Sequence, residues 1–391
     1  MSTTITSSSV RRSAGPLIPV ALAAVVTVYL WLFLGAQSQL EICLLLVAGA
    51  VAVFLSERLK LSERIGVANR ANPRMGLACA LIGTLALIAA FYDTHYVLLM
   101  ICTVLLFATA GLGLTLQFGY AGVANFAGAA FFGIGSYTIA VLAAHTGIPH
   151  LLLIVLSGIV PAAIGSVLIL PVLRTRGHYA ALVTIAFGIL FRSFVQVNDA
   201  LGGPQGLHLP GLSMFGYSFS DGFELFDQDI SFYVPYALLS LVLFAGIFLM
   251  VRTLERSWIG LSMDVVRTDE TAASTFGLHI ARWKVLAFLL GNFVAGMAGS
   301  VYGMMTGFVS PDNFTFSDSL LLVSIVVLGG LGNAAGLVPA AFIVIVLPQK
   351  LQFIQEYRFL FYSIVVLAIL LFRPDGLLPR KTRLFFGKET T

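Results

Sequence analysis

RTLERSWIGLSMDVVRTDETAASTFGLHIARWK, residues Arg252 to Lys284, is the stretch that decides how the rest of the chain is read. It carries Arg252, Arg256, Arg267, Arg282 and Lys284 together with Glu255, Asp264, Asp269 and Glu270, and it lies between apolar runs long enough to cross a bilayer. Trp258 to Val266 alternates apolar and polar residues with helical spacing. Thr268-Asp269-Glu270 then offers a capping residue followed by two acids in a first turn, and Gly277 stands where a helix would stop. The segment predicts one or two short helices lying across a membrane surface.

Working outward, apolar residues make up 59% of the 391, charged residues only 10%, and the mean hydropathy is +0.97. Those values exclude a soluble globular domain. Apolar runs of about 17 to 24 residues, enough for roughly 30 Å of hydrocarbon at about 1.5 Å per residue, recur from Pro16 to Phe372. The expected fold is all-α, a polytopic integral membrane protein with about 10 to 12 transmembrane or partly spanning helices. Candidate spans are 16–35, 40–56, 76–92, 97–117, 121–143, 150–173, 178–197, 232–251, 285–305, 318–332, 336–349 and 358–372. Glycine is dense in 121–143 and 318–349, which marks them as candidates for broken or re-entrant helices. Continuous rather than alternating apolar runs disfavour a barrel. The first span lies too deep and lacks a small-residue cleavage site, so a cleaved signal peptide is not expected.

Basic residues set the orientation. With the N-terminus inside, 19 of the 22 Lys and Arg fall on cytoplasmic segments, leaving Arg192, Lys350 and Arg358 on or near the outer side. Both termini are therefore expected in the cytoplasm. The formal charge of +4 is a topology signal, and nucleic acid is not an expected partner.

Little in the chain supports catalysis. Cys43, Cys79 and Cys102 sit inside apolar runs without paired spacing, and the six histidines are scattered, so no metal site is expected. There is no nucleophile elbow and no phosphate-cradling G-x-x-x-x-G-K-[ST] loop, so neither catalytic nor cofactor-binding residues are assigned. Energy for transport would come from another chain or an ion gradient. Every Asp and Glu falls at a span end or in a loop, and Arg192 lies close enough to the outer edge to snorkel, which argues against ion coupling. Unwound backbone carbonyls still leave sodium binding open.

Two readings fit Arg252 to Lys284. One is an ordinary inside loop whose amphipathic helix rests on headgroups. The other is a coupling helix that enters a groove on a cytoplasmic motor subunit, with small alanines permitting close approach.

Glu270-Thr271-Ala272-Ala273 with Gly277 resembles the E-A-A-x-x-x-G signature by which ABC importer permeases meet their ATPases. Further motifs follow in order: Arg256-Ser257-Trp258-Ile259-Gly260, Arg267-Thr268-Asp269-Glu270, Phe308-Val309-Ser310-Pro311-Asp312-Asn313-Phe314, Val327-Leu328-Gly329-Gly330-Leu331-Gly332-Asn333 and Phe372-Arg373-Pro374-Asp375-Gly376-Leu377. With Gly119-Tyr120-Ala121-Gly122 and Asn125-Phe126 upstream, they are similar to the branched-chain amino-acid ABC permeases of the LivM type. The resemblance runs from about Leu112 to Leu378. Ala127-Gly128 stands where such permeases often have Gly-His or Gly-Gln, and a Thr is inserted in the E-A-A element.

The resemblance implies an importer subunit of a bacterial inner membrane. Beside it would stand a second related permease, below it two cytoplasmic ATPases that bind the ATP, and above it an extracytoplasmic binding protein delivering a small-molecule substrate. Hydrophobic or branched-chain amino acids are the expected cargo, with urea or short amides, carried by close relatives, as the alternative. ATPase coupling is expected at Asp269, Glu270, Ala272, Ala273 and Gly277, and the translocation path at Gln117, Gly119, Gly122 and Asn125, where a broken helix would expose backbone groups to a zwitterion. The acidic outer loop, with Gly202, Gly203, Asp221, Asp227 and Asp229, is expected to meet the binding protein or else to be a solvated connection.

Organisation follows from the same reading: an N-terminal hairpin, basic loop and third span over 1–95, a permease domain over 96–378 containing the coupling loop 252–284, and a basic tail over 379–391. Ala295, Gly299 and Gly303 recur every four residues, a small-residue seam suited to close helix packing. Short echoes of Phe118-Gly119 and Gly122 at Leu328-Gly329 and Gly332 hint at two hairpins of similar origin.

Overall fold

The computed structural model describes residues 17–58, 73–174, 178–214, 217–219, 223–225 and 228–351, and beyond them 356–357, 360–364, 367, 371, 376–378 and 380. The protein is an all-α polytopic membrane protein. Its helices are α1 (Leu17–Gly35), α2 (Gln39–Arg58), α3 (Pro73–Ala90), α4 (His95–Thr115), α5 (Gly128–His145), α6 (His150–Arg174) and α7 (His178–Val197), followed by α8 (Tyr233–Arg256), α9 (Trp258–Thr268), α10 (Glu270–Thr275), α11 (Ile280–Thr306), α12 (Phe316–Gly329) and α13 (Leu337–Lys350). Among the described residues, seven helices are long and apolar enough to cross a membrane, and four shorter apolar helices accompany them. Most of the span expected at 358–372 lies outside the described residues.

Two compact units divide the chain, one formed by Met1–Ile101 with Phe223–Leu238 and the other by Cys102–Gly222 with Leu239–Thr391. In the first unit α1 packs on α3, where the Thr27 hydroxyl occupies the space left by Gly83. The Tyr29 hydroxyl donates to the Leu45 carbonyl at 3.1 Å, tying α1 to α2. A hairpin of β2 (Phe223–Leu225) and β3 (Gln228–Ile230) pairs Phe223 with Ile230.

The second unit is built around α11, which packs against α5 and α6. The seam read from Ala295, Gly299 and Gly303 lies in this contact: any Cβ on Gly299 would fall on the Phe132 carbonyl of α5, and Ser136 donates its hydroxyl to the Gly299 carbonyl at 2.6 Å. Backbones that meet this closely gain dispersion contacts where lipid supplies no hydrophobic drive. Apolar side chains turned outward complete the pattern, as in α7, where Leu182, Ile189, Leu190 and Phe194 are all exposed. That is the surface a bilayer or a second membrane chain would cover.

The span expected at 121–143 begins late and then runs unbroken from Gly128 to His145. α4 runs on into one π-helical turn, Leu116–Tyr120, and the chain then travels without helix until α5 begins at Gly128. α12 and α13 form a hairpin whose turn holds Gly330 and Gly332 at positive φ. The chain after α7 carries two 3₁₀ turns at Asp199–Leu201 and Gly203–Gln205, and β1 (Leu207–His208) pairs antiparallel with β4 (Phe308–Val309), which holds residues 207–209 beside the C-terminal end of α11.

Candidate functional site

Four groups of polar side chains line up along the second unit, and α11, 27 residues and so roughly 40 Å long, supplies the axis.

The first group is the charged segment before α11. As expected it folds into two short helices, but the cap is Asp269 rather than Thr268. Thr268 closes α9, while the Asp269 carboxylate accepts from the Thr271 and Ala272 amides at 2.8 and 3.0 Å. Either residue type can cap a helix, and what selects Asp269 is where α9 ends. Glu270 receives the Lys284 ammonium at 2.6 Å, which ties α10 to the start of α11. Ala273 is fully buried and Ala272 partly so, whereas Phe276 is 82% exposed and Trp258 68%. Gly277 ends the turn at φ 79° with open space beside it, a left-handed cap that a side chain would strain. Large exposed aromatics beside a rigid, capped helix make a surface suited to a partner.

The second group joins this segment to the broken helix. Arg267 of α9 donates to the Gly119 carbonyl. Arg380, from the C-terminal tail, forks onto Asp264 of α9 with bonds of 2.6 and 2.7 Å, stands 3.8 Å from Glu255, and lies 4.1 Å over the Tyr120 ring. Burial alone would lower the Arg380 pKa. The Asp264 hydrogen bonds, with the charges of Tyr120, Asp264 and Glu255, outweigh it and hold the guanidinium above its ordinary value. Gly119 meets the α12–α13 turn backbone to backbone, since a Cβ there would sit 2.5 Å from the Gly332 amide nitrogen. Thus the two stretches that echo each other in sequence touch, and Gly122 lies against Arg267 beside them.

Further along α11 is a cluster of three buried amides. Gln117 donates to the Phe288 carbonyl at 3.1 Å and to Asn292 Oδ1 at 2.9 Å. Asn125 donates to Gln117 Oε1 at 2.7 Å and to Asn292 Oδ1 at 3.2 Å, and its own oxygen accepts from the Ala127 amide at 2.9 Å. Asn292 Nδ2 has no hydrogen-bond partner among the described residues. All three side chains are essentially inaccessible, so they lock α4, the broken stretch and α11 together in this state.

The fourth group lies at the other end of α11. A cavity of about 710 Å³ opens between α7, α11 and the start of α12, and it is lined by Arg192, Asp312 and Asp318 together with Phe107, Phe132 and Tyr302. Arg192 does not merely snorkel: it pairs with Asp312 at 2.7 Å.

Of the loop residues expected to dock a binding protein, Gly202 caps the first 3₁₀ turn, Gly203 opens the second and Asp229 stands in β3, while Asp221 and Asp227 lie outside the described residues. Sequence reading missed Asn292, Asp264, Arg380 and Asp312. Asn292 was detectable as an amide inside an apolar span. Arg380 entered only as one of the basic residues that set topology.

The family described as branched-chain amino acid transport system / permease component matches residues 96–372. The high-affinity branched-chain amino acid transport system permease protein LivM of Salmonella typhimurium is 35% identical over 293 residues, which cover 70% of this chain and 68% of that protein. LivM of Escherichia coli is 34% identical over the same shares, and LivH of Salmonella typhimurium is 25% identical over 70% of this chain and 91% of its own length. No solved structure matches the chain.

Proposed function

The chain belongs to the family of branched-chain amino acid transport permeases, and from that premise we propose that it is the coupling and path-forming half of an ATP-driven importer. It works with a second related permease, two cytoplasmic ATPases and an extracytoplasmic binding protein, in a bacterial inner membrane with both termini in the cytoplasm. ATP is bound and hydrolysed by the ATPases. The cargo is a branched-chain or other hydrophobic amino acid, and urea or a short amide is the competing cargo that a substrate test separates.

The observation that carries this reading is the physical link between the surface helices and the break in the path. α9 is joined to Gly119 through Arg267 and to Tyr120 through Asp264 and Arg380, so a displacement of α9 and α10 reaches the broken segment without passing through flexible chain. Glu270 and Ala273 hold α10 on its base, while Phe276 projects outward as the contact for an ATPase groove. In this state the path is shut at its cytoplasmic end, where Gly119 closes on Gly332, and the buried Gln117, Asn125 and Asn292 amides hold the next level. When the ATPases move α9, the backbone contact at Gly119 opens and the amides become available to a passing zwitterion. Opening costs the hydrogen bonds of the cluster, which net about 0.5 to 1.5 kcal/mol each, a range that ATP-driven motion supplies easily.

Glu270→Lys and Gly277→Trp test the reading. Both variants should insert in the membrane and lose co-purification with the ATPases. Normal ATPase recovery with both would remove α10 from the coupling role.

A further inference from the structure

We propose that the cavity bounded by Arg192 and Asp312 is a receiving site for one free α-amino-acid zwitterion, with Arg192 taking the carboxylate, Asp312 the ammonium, and the aromatic wall of Phe107, Phe132 and Tyr302 the apolar side chain. The inference rests on the transport reading above and adds the place where substrate first meets this chain.

Four observations converge on it. Arg192 is a cation on an apolar helix, five residues from its end, with its guanidinium turned into the cavity. Its partner Asp312 is held at 2.7 Å, yet the two side chains remain 43% and 67% exposed, so the pair adds little to stability and a ligand with both charges can replace it. Arg192 Nε is buried without a partner among the described residues, so Asp312 does not exhaust the guanidinium's donors. Asp318, the other acid of the cavity, is held in place by a capping box, its Oδ2 accepting from the Thr315 amide at 2.9 Å and the Thr315 hydroxyl at 2.6 Å, whereas Asp312 is the acid that faces Arg192 directly. Arg192 and Asp312 thus set one cation and one acid side by side, which is the complement of a zwitterion.

The wall supplies the rest. The Phe107, Phe132 and Tyr302 rings meet one another at centroid distances of 5.4 to 5.8 Å, forming a continuous apolar face inside the cavity. A volume of about 710 Å³ falls within the roughly 300–1,000 Å³ usual for small-molecule sites. Ala129, on the lining, is four residues from Asn125 in the buried amide cluster, so the cavity and the cluster are neighbours along the chain. Urea, being neutral and without an apolar side chain, would use neither the charge pair nor the wall.

The test is equilibrium binding of radiolabelled leucine to the full-length chain in detergent, without binding protein, in competition with leucinamide and 4-methylpentanoate, which lack the carboxylate and the ammonium respectively. Leucine should bind, and each truncated analogue should compete at least about tenfold more weakly. Arg192→Gln and Asp312→Asn should each weaken leucine by a similar factor. Exchanging the pair, Arg192→Asp with Asp312→Arg, restores an ion pair but turns the zwitterion's side chain away from the aromatic wall, so binding should stay lost. Absent leucine binding, equal competition by the analogues, or recovery in the exchanged pair would overturn the site and leave a simple latch. ATPase recovery is scored on the same preparations. A complex with ATPases that binds no leucine overturns the site alone, while leucine binding without ATPases overturns the importer reading and leaves the site standing.

Discussion

Two arginine–aspartate pairs stand near opposite ends of α11, and they are built for opposite tasks. Arg380 grips Asp264 through two short bonds, with Glu255 and the Tyr120 ring around it, and the Arg380 side chain is only 12% exposed. Arg192 touches Asp312 through one nitrogen, with both side chains open to solvent. Bidentate, charge-assisted geometry with a cation–π contact makes the first a fixed clamp. A single exposed ion pair is worth about 0 to 1 kcal/mol, so the second is a contact that a ligand or a motion can break. This state is therefore held rigidly at the end that carries α9 and α10, and only loosely at the end where the cavity opens.

The comparison is broken most directly by removing each arginine. Arg380→Ala should lower the unfolding free energy by about 2 to 3 kcal/mol and uncouple ATP hydrolysis from transport, because Asp264 is left partly buried without its cation. Arg192→Ala should cost less than about 1 kcal/mol. Thermal unfolding of the two variants in detergent checks the order, and equal losses would erase the distinction between clamp and breakable pair. The Arg380 contribution also carries a pH signature. Its folded pKa is raised, so its stabilisation is complete below the ordinary arginine value and fades only as pH climbs past it. Melting curves from neutral to mildly alkaline pH should therefore show no step that Arg380→Ala removes.

Between the two ends lies the amide cluster, and Asn292→Leu sharpens the comparison there. It takes away the oxygen that accepts from both Gln117 and Asn125, at a cost of about 1 to 3 kcal/mol for the stranded donors. Transport in proteoliposomes should fall steeply while ATPase recovery stays normal. A joint loss of both would place Asn292 in the general packing of α11 instead.

The smallest effect is expected at the loop that follows α7. Reversing Asp227 and Asp229 to Lys should reduce stimulation of ATP hydrolysis by the binding protein, and added salt should shrink the difference between variant and parent. Stimulation that is unchanged at low salt would exclude this face from docking.

Much of this arrangement is legible in the sequence, and the limit is physical. Apolar runs of bilayer length give the helices, and glycine-rich text marks the break after Tyr120 and the seam at Gly299, because both features are local. The helices α9 and α10 follow from periodicity and capping chemistry, although the register of the cap shifts by one residue to Asp269. The clamp and the breakable pair are not local. Arg380 and Asp264 are separated by 116 positions, and Arg192 and Asp312 by 120. Each charge taken alone reads as topology or as a span-end residue, and only the tertiary fold, which brings Arg380 onto α9 and Asp312 onto α7, turns them into pairs. Asn292 lies between these cases: an amide within an apolar span announces a role, but its partners come from α4 and the chain after it.

The central claim is that α9 and α10 join this chain to ATP-hydrolysing partners. Gentle detergent purification of the tagged chain from its native host tests it in one step. The account predicts recovery of two ATPase copies and a second, related permease, all lost together when Glu270 is replaced by Lys. A chain recovered alone or only with copies of itself would contradict it.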